Sequence, residues 1–191
     1  MSDLPEDPTA PLELSRLGPD ARALSEEDFA SRHGLAFLLH QGSLDPSRKP
    51  TRPQATMIMG RVLPPPETQP TRMPRRDAYR GVGLLPVYPV RHTGRSPFPR
   101  IVTVGRTKNN DIVLADVGIS KFHAFFKEEA GQFFIADGES RNGTFVGGER
   151  ALPTKQGKPT PLTSGMAVKF GALEFRFVDT HELVILARQF G

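Results

Sequence analysis

From Ile101 to Phe177 the chain repeats short apolar runs separated by polar or glycine-containing breaks. Ile101-Val102-Thr103-Val104, Asp111-Ile112-Val113-Leu114, His123-Ala124-Phe125-Phe126 and Gln132-Phe133-Phe134-Ile135 are rich in β-branched and aromatic residues, which suit a pleated, half-buried surface. Strands are predicted around 101–104, 111–114, 122–128, 132–136, 144–146, 166–170 and 173–178. In Leu173-Glu174-Phe175-Arg176-Phe177 the alternation sets Leu173, Phe175 and Phe177 toward a core and Glu174 and Arg176 toward water. Short strands at close spacing, with Gly and Asp turns between them, predict an all-β, antiparallel β-sandwich rather than alternating βα units. An opening run over 82–90 contains Pro86 and Pro89, which predicts an edge strand.

The flanks follow other patterns. Residues 1–20 carry Pro5, Pro8, Pro11 and Pro19 and are expected to be poorly ordered. A hydroxyl at Ser25, acids at Glu26, Glu27 and Asp28, and Gly34 at the far end predict a short helix near 25–33. Leu35–Leu39 is apolar throughout, and its periodicity does not fix its type. Eight prolines between Pro46 and Pro74 exclude continuous helix or central strand and predict an extended linker. The expected organisation is a disordered or partly helical N-terminal extension over 1–42, a Pro/Arg-rich linker over 43–80, a sandwich over 81–179, and a segment 180–191 that reads as a capped helix or a last edge strand.

Composition narrows the function classes. None of the 191 residues is cysteine, which removes disulfides, thiolate metal sites and cysteine nucleophiles. No apolar run approaches the roughly 20 residues needed to span a bilayer, and the acidic start Ser2-Asp3-Leu4-Pro5-Glu6-Asp7 is unlike a signal peptide; a cytoplasmic address without membrane contact is expected. The net charge of +4 is uneven, with basic residues crowding 48–108 and acidic ones dominating before Asp45. That basic arm over 48–100 lacks interleaved aromatics, so it reads as a solvated linker in preference to a nucleic-acid contact.

Three polar clusters interrupt the strand pattern: Gly105-Arg106, Ser120-Lys121-Phe122-His123 and Ser140-Arg141-Asn142-Gly143-Thr144. On the loops joining strands they would assemble a guanidinium, hydroxyls, an ammonium and a carboxamide, donors suited to a phosphate. Read together as Gly105-Arg106-Thr107, Asn110-Asp111-Ile112-Val113-Leu114, Ile119-Ser120-x-x-His123-Ala124 and Ser140-x-Asn142-Gly143-Thr144-Phe145-Val146, the blocks resemble the forkhead-associated (FHA) domain over about residues 80–179. That family is a β-sandwich that binds phosphothreonine in partner proteins.

The resemblance implies that Arg106, Ser120, Lys121 and Arg141 contact the phosphate and that Asn142 holds the peptide backbone after the phosphothreonine. Gly105, His123, Ser140 and Gly143 would shape the loops. Each residue also has a plainer reading: Arg106 paired with Asp111 or Asp116, Arg141 solvated, Asn142 shaping the turn before Gly143. His123 lacks a paired nucleophile and is expected to be a buried imidazole bonding the loops of Ser120 and Asn142, not a catalyst. His33, His40, His92, His123 and His181 are scattered, so no metal is expected, and no cofactor fingerprint is present. The reading is a non-enzymatic, phosphothreonine-dependent adaptor with a Ser/Thr kinase upstream. Thr56, Thr68 and Thr71 in the linker offer an intramolecular ligand. The rival readings are a structural sandwich that has lost phosphate binding and a nucleic-acid binder acting through the arm. Where the family pattern has Asn-Gly after the Thr-Phe-Val strand, this chain has Gly147-Gly148, which still permits a primed hairpin turn but loosens it.

Overall fold

The computed structural model describes residues 10–41 and 85–189, and every structural statement below concerns those residues. The linker 43–80, with its threonines and most of the basic arm, lies outside them. In chain order the strands are β1 (Leu12–Glu13), β2 (Ala36–His40), β3 (Pro86–Pro89), β4 (Val102–Gly105), β5 (Ile112–Val113), β6 (Ala124–Glu129), β7 (Gln132–Asp137), β8 (Thr144–Val146), β9 (Glu149–Arg150), β10 (Thr160–Leu162), β11 (Ala167–Phe170) and β12 (Leu173–Asp179). The helices are α1 (Gly18–Ala23), α2 (Glu26–His33) and α3 (Thr180–Arg188).

The strands form two sheets, one of seven strands ordered β1-β3-β2-β12-β11-β8-β9 and one of five ordered β10-β7-β6-β4-β5. All pairs are antiparallel except β4 with β5. Leu38, Val104, Phe126, Ile135, Phe170, Phe175 and Phe177 fill the space between the sheets. Gly147 and Gly148 have φ of 58° and 92° in the two-residue β8–β9 turn, the primed geometry that matches strand twist.

The N-terminal segment is built into the sandwich. Strand β2 lies between β3 and β12, with Ala36 and Leu38 facing the sandwich core and Phe37 and Leu39 facing a second core under the helices. A strand buried on both faces shows no polar alternation, which is why Leu35–Leu39 has no readable period. Residues 10–20, expected to be poorly ordered, instead form β1, a 3-10 turn at Leu14–Leu17 and the start of α1. Pro19 lies in the first turn of α1, where a missing N–H costs nothing.

Strand β3 is also not the expected edge, since β1 and β2 flank it. Leu85 accepts from Leu14 and Val90 donates to Ala36, so odd positions face β1 and even positions face β2. Pro86 falls where pairing with β2 stops, and Pro89 where pairing with β1 stops, so neither removes a needed donor. At the chain's end, Asp179 caps α3 by accepting from the Glu182 N–H at 2.9 Å. Leu183, Val184, Leu186 and Ala187 of that helix pack with Leu14, Phe29, Phe37 and Val178. This cover changes the outer side of β12: Glu174 is exposed, but Arg176 is ion-paired with Glu182 and Val178 is buried.

Candidate functional site

The three polar clusters meet at one rim of the sandwich. Arg106 leaves the end of β4, and its N–H donates to the Ser120 carbonyl at 2.9 Å. Gly105 makes this approach possible, because a Cβ there would stand 2.3 Å from the Lys121 carbonyl oxygen and 2.7 Å from Asn110 Nδ2. Close packing, more than turn geometry, requires the glycine. Asn110, 2% exposed, donates from Nδ2 to the Lys121 carbonyl at 2.7 Å and the Thr107 carbonyl at 2.8 Å. Thr107 Oγ1 donates to the same Lys121 oxygen at 2.9 Å.

His123 ties the second cluster to the third. The Ser120 N–H donates to Nδ1 at 3.1 Å, so the ring proton resides on Nε2, which donates to the Gly143 carbonyl at 3.2 Å. The ring is fully buried, edge-on to Phe170. Burial pushes its pKa below the ordinary 6.5, outweighing the Gly143 carbonyl and the Asp137 carboxylate that pull it up. A neutral, doubly bonded imidazole of this kind is a spacer between loops.

Asp137 organises the third cluster. Its carboxylate accepts from the Ser140 N–H at 2.9 Å, the Ser140 hydroxyl at 2.6 Å and the Thr144 hydroxyl at 2.8 Å. Ser140 Oγ in turn accepts from the Gly143 N–H at 3.0 Å. Ser120 Oγ accepts from the Arg141 N–H at 3.1 Å, which leaves the hydroxyl proton to be donated outward. Asn142 is exposed and donates from Nδ2 to the Gly118 carbonyl at 2.7 Å.

Above this network Arg106, Lys121 and Arg141 are exposed, and none forms an ion pair among the described residues. Both acids that could have held Arg106 are committed elsewhere. Asp111 accepts from the N–H and hydroxyl groups of Thr93 and Thr103 at 2.7–2.9 Å, and Asp116 accepts from the Gly118 N–H at 2.6 Å. Three cations and a hydroxyl donor without internal partners make a surface suited to a multiply charged oxyanion. A groove of about 530 Å³ lined by Gln41, Phe145, Lys169 and Glu174 lies on the seven-stranded sheet, away from these loops.

Comparison with known proteins places the rim in a family: residues 102–171 match the FHA domain. The chain carries an FHA domain. An ABC transporter ATP-binding/permease protein of Mycobacterium tuberculosis is 37% identical over 91 residues, 48% of this chain and 10% of that one. The oxoglutarate dehydrogenase inhibitor of Corynebacterium diphtheriae is 35% identical over 77 residues, 40% of this chain and 50% of that one. The chain therefore spans between a tenth and a half of the length of these relatives. Among solved structures, M. tuberculosis EmbR in complex with a low-affinity phosphopeptide is 29% identical with a TM-score of 0.37, over 42% of this chain and 20% of that one.

The sequence singles out Arg106, Lys121 and Arg141, casts Asp111 only as an alternative partner for Arg106, and gives no role to Asn110, Asp137 or Thr144. Asn110-Asp111 stood in the quoted pattern, and a buried polar residue in a strand-rich segment is the signal that would have marked all four. No helix among the described residues is long and apolar enough to cross a membrane.

Proposed function

We propose that the chain is a phosphothreonine-dependent protein–protein interaction module that acts without catalysis, in the cytoplasm, downstream of a Ser/Thr kinase. Arg106, Ser120, Lys121 and Arg141 grip the phosphate, and Asn142 holds the backbone of the following residue. The observation that carries this reading is the set of unpartnered cations held over a fully bonded polar network. Phosphothreonine brings about −1.5 to −2 charge and three acceptor oxygens. One anchored group and an ordered peptide give an expected affinity near micromolar, about −8 kcal/mol.

The deciding experiment is calorimetry with a phosphopeptide selected from a phosphothreonine library. Arg106→Ala should weaken binding at least tenfold with the thermal transition unchanged, since a charge-assisted bond is worth about 1.5–3 kcal/mol. Retained affinity would overturn the assignment. A phosphorylated Thr56, Thr68 or Thr71 on the same chain would compete at up to about millimolar effective concentration and silence the module. Stoichiometric phosphorylation of one of them with no loss of peptide binding would exclude that switch.

A further inference from the structure

An aromatic strip beside the phosphate rim has no role in gripping the anion. Val104, Phe126 and Ile135 point into the sandwich core, so alternation turns their neighbours Thr103, Phe125, Phe134 and Ala136 to the outer face of the five-stranded sheet. Phe122, in the loop before β6, stacks on Phe125 with ring centroids 6.2 Å apart and planes 20° apart. Phe98 leans on Phe122 at 6.3 Å and is 51% exposed. Phe122 and Phe125 are half-buried, and an exposed ring continuous with half-buried ones at the edge of a binding surface marks an interaction site.

The strip is continuous with the rim. Phe122 directly follows Lys121, and a Cβ on Gly138 would stand 2.6 Å from its ring, so the glycine heading the third loop makes room for it. Asn142 sits at the other end of that loop, bonded to Gly118 and next to Gly171. Along the second loop Gly118, bonded to Asn142, comes first, then Ser120 and Lys121, then Phe122. On the reading that Asn142 holds the residue after the phosphothreonine, the residues before it therefore fall toward Phe122.

We propose that Phe98, Phe122 and Phe125 form a docking strip for an aliphatic or aromatic side chain that precedes the phosphothreonine in the partner. This rests on the phosphothreonine reading above. The cations then supply attraction common to any phosphorylated chain, and the rings select among them by their apolar neighbours. Partial burial of one such side chain corresponds to about a tenfold gain in affinity, or about 1.4 kcal/mol.

The test uses the full chain and a phosphothreonine peptide of alanine, serine and glycine into which one leucine or phenylalanine is moved position by position, read by fluorescence anisotropy. Leucine or phenylalanine on the N-terminal side should strengthen binding about tenfold over the alanine peptide. Phe98→Ser should abolish that gain and leave the alanine peptide's affinity within about twofold; Phe125→Ser, farther from the cations, should repeat the result. A gain only on the C-terminal side, or one that survives both substitutions, overturns the strip while the alanine peptide still binds. Failure of every phosphorylated peptide to bind overturns the phosphothreonine reading and the strip with it. Concentration-dependent self-association that Phe98→Ser removes would assign the strip to a second copy of the chain, which also overturns the proposal.

Discussion

Around the binding loops Asn110, Asp111, His123, Asp137, Ser140 and Thr144 are all buried and all hydrogen-bonded. On the helix-covered face, β2 and β12 meet Leu14, Leu17, Phe29, Leu183 and Val184, with side-chain hydrogen bonds confined largely to caps and helix ends. Apolar burial is non-directional and supplies stability. A satisfied polar network adds less net energy but holds loops in one geometry. The contrast implies that stability and recognition can be damaged separately.

The largest effect should come from the helical face. Phe29 is fully buried and packs against His33 with ring centroids 4.5 Å apart. Phe29→Ala should cost about 3–5 kcal/mol of unfolding free energy through lost burial and the cavity left behind. Urea denaturation measures it, and phosphopeptide affinity at a temperature where the fold persists should stay within about twofold. An affinity falling in step with stability would show that the two regions are coupled. Next in size, Asp137→Ala strands three donors at the rim and should cost about 2–3 kcal/mol. Here affinity should fall too, because Ser140 and Thr144 lose the bonds that set the third loop.

The same contrast decides what the sequence made legible. Strands β4, β6, β7, β8, β11 and β12 were readable because one face of each is apolar over the run. The ends of α2 were readable from Ser25 and Gly34, whose capping is local in sequence, whereas α3 stayed open between a capped helix and an edge strand until its packing was seen. Strand β2 was not readable, because its second buried face is made by helices remote in the chain. Strand β10 hides behind Pro161, which pairs with Phe134 at a sheet edge. At the rim Arg106, Lys121 and Arg141 were legible only through the family pattern, because a cation alone on a loop reads equally as paired or solvated. Their supports were not: Asn110 reaches Lys121 and Asp111 reaches Thr93 across intervals no period reports.

A smaller effect, on pH dependence, separates the two regions through their histidines. Burial lowers the pKa of both His33 and His123 from 6.5. For His33 it outweighs the hydrogen bond and charge of Asp20, with the cations of Arg32 and Arg91 adding to the lowering. Both rings are therefore neutral in the fold at neutral pH, and the unfolded chain binds their protons first. Stability from this source is complete above 6.5 and declines as pH falls from there toward the folded values, by at most about 1.4 kcal/mol per unit for each ring. His33→Phe should lessen the slope of unfolding free energy below pH 6.5, leaving the share due to His123. An unchanged slope would mean that His33 does not contribute. Stability is the cleaner readout, because phosphothreonine itself titrates near pH 6.

The smallest effect lies at the opposite end of β6 from His123. There Glu129 pairs with Gln132 around a two-residue turn, Ala130-Gly131, whose φ angles are 51° and 79°. The turn type requires the left-handed region at both positions, and only Gly131 enters it without steric cost. Ala130 brings its Cβ close to the following carbonyl oxygen, whereas asparagine tolerates the same backbone. Ala130→Asn should therefore raise unfolding free energy by about 0.5 kcal/mol, read as a higher urea midpoint at unchanged slope. Phosphopeptide affinity should not move, because the turn is a full strand length from the cations. Glu139, with φ of 60°, has the same conformation inside the third loop, next to Ser140. There Glu139→Asn should give a similar rise in stability, but any change in affinity would appear at Glu139 and not at Ala130. Equal effects of the two substitutions on binding would remove the distinction between a rim that positions and a frame that only stabilises.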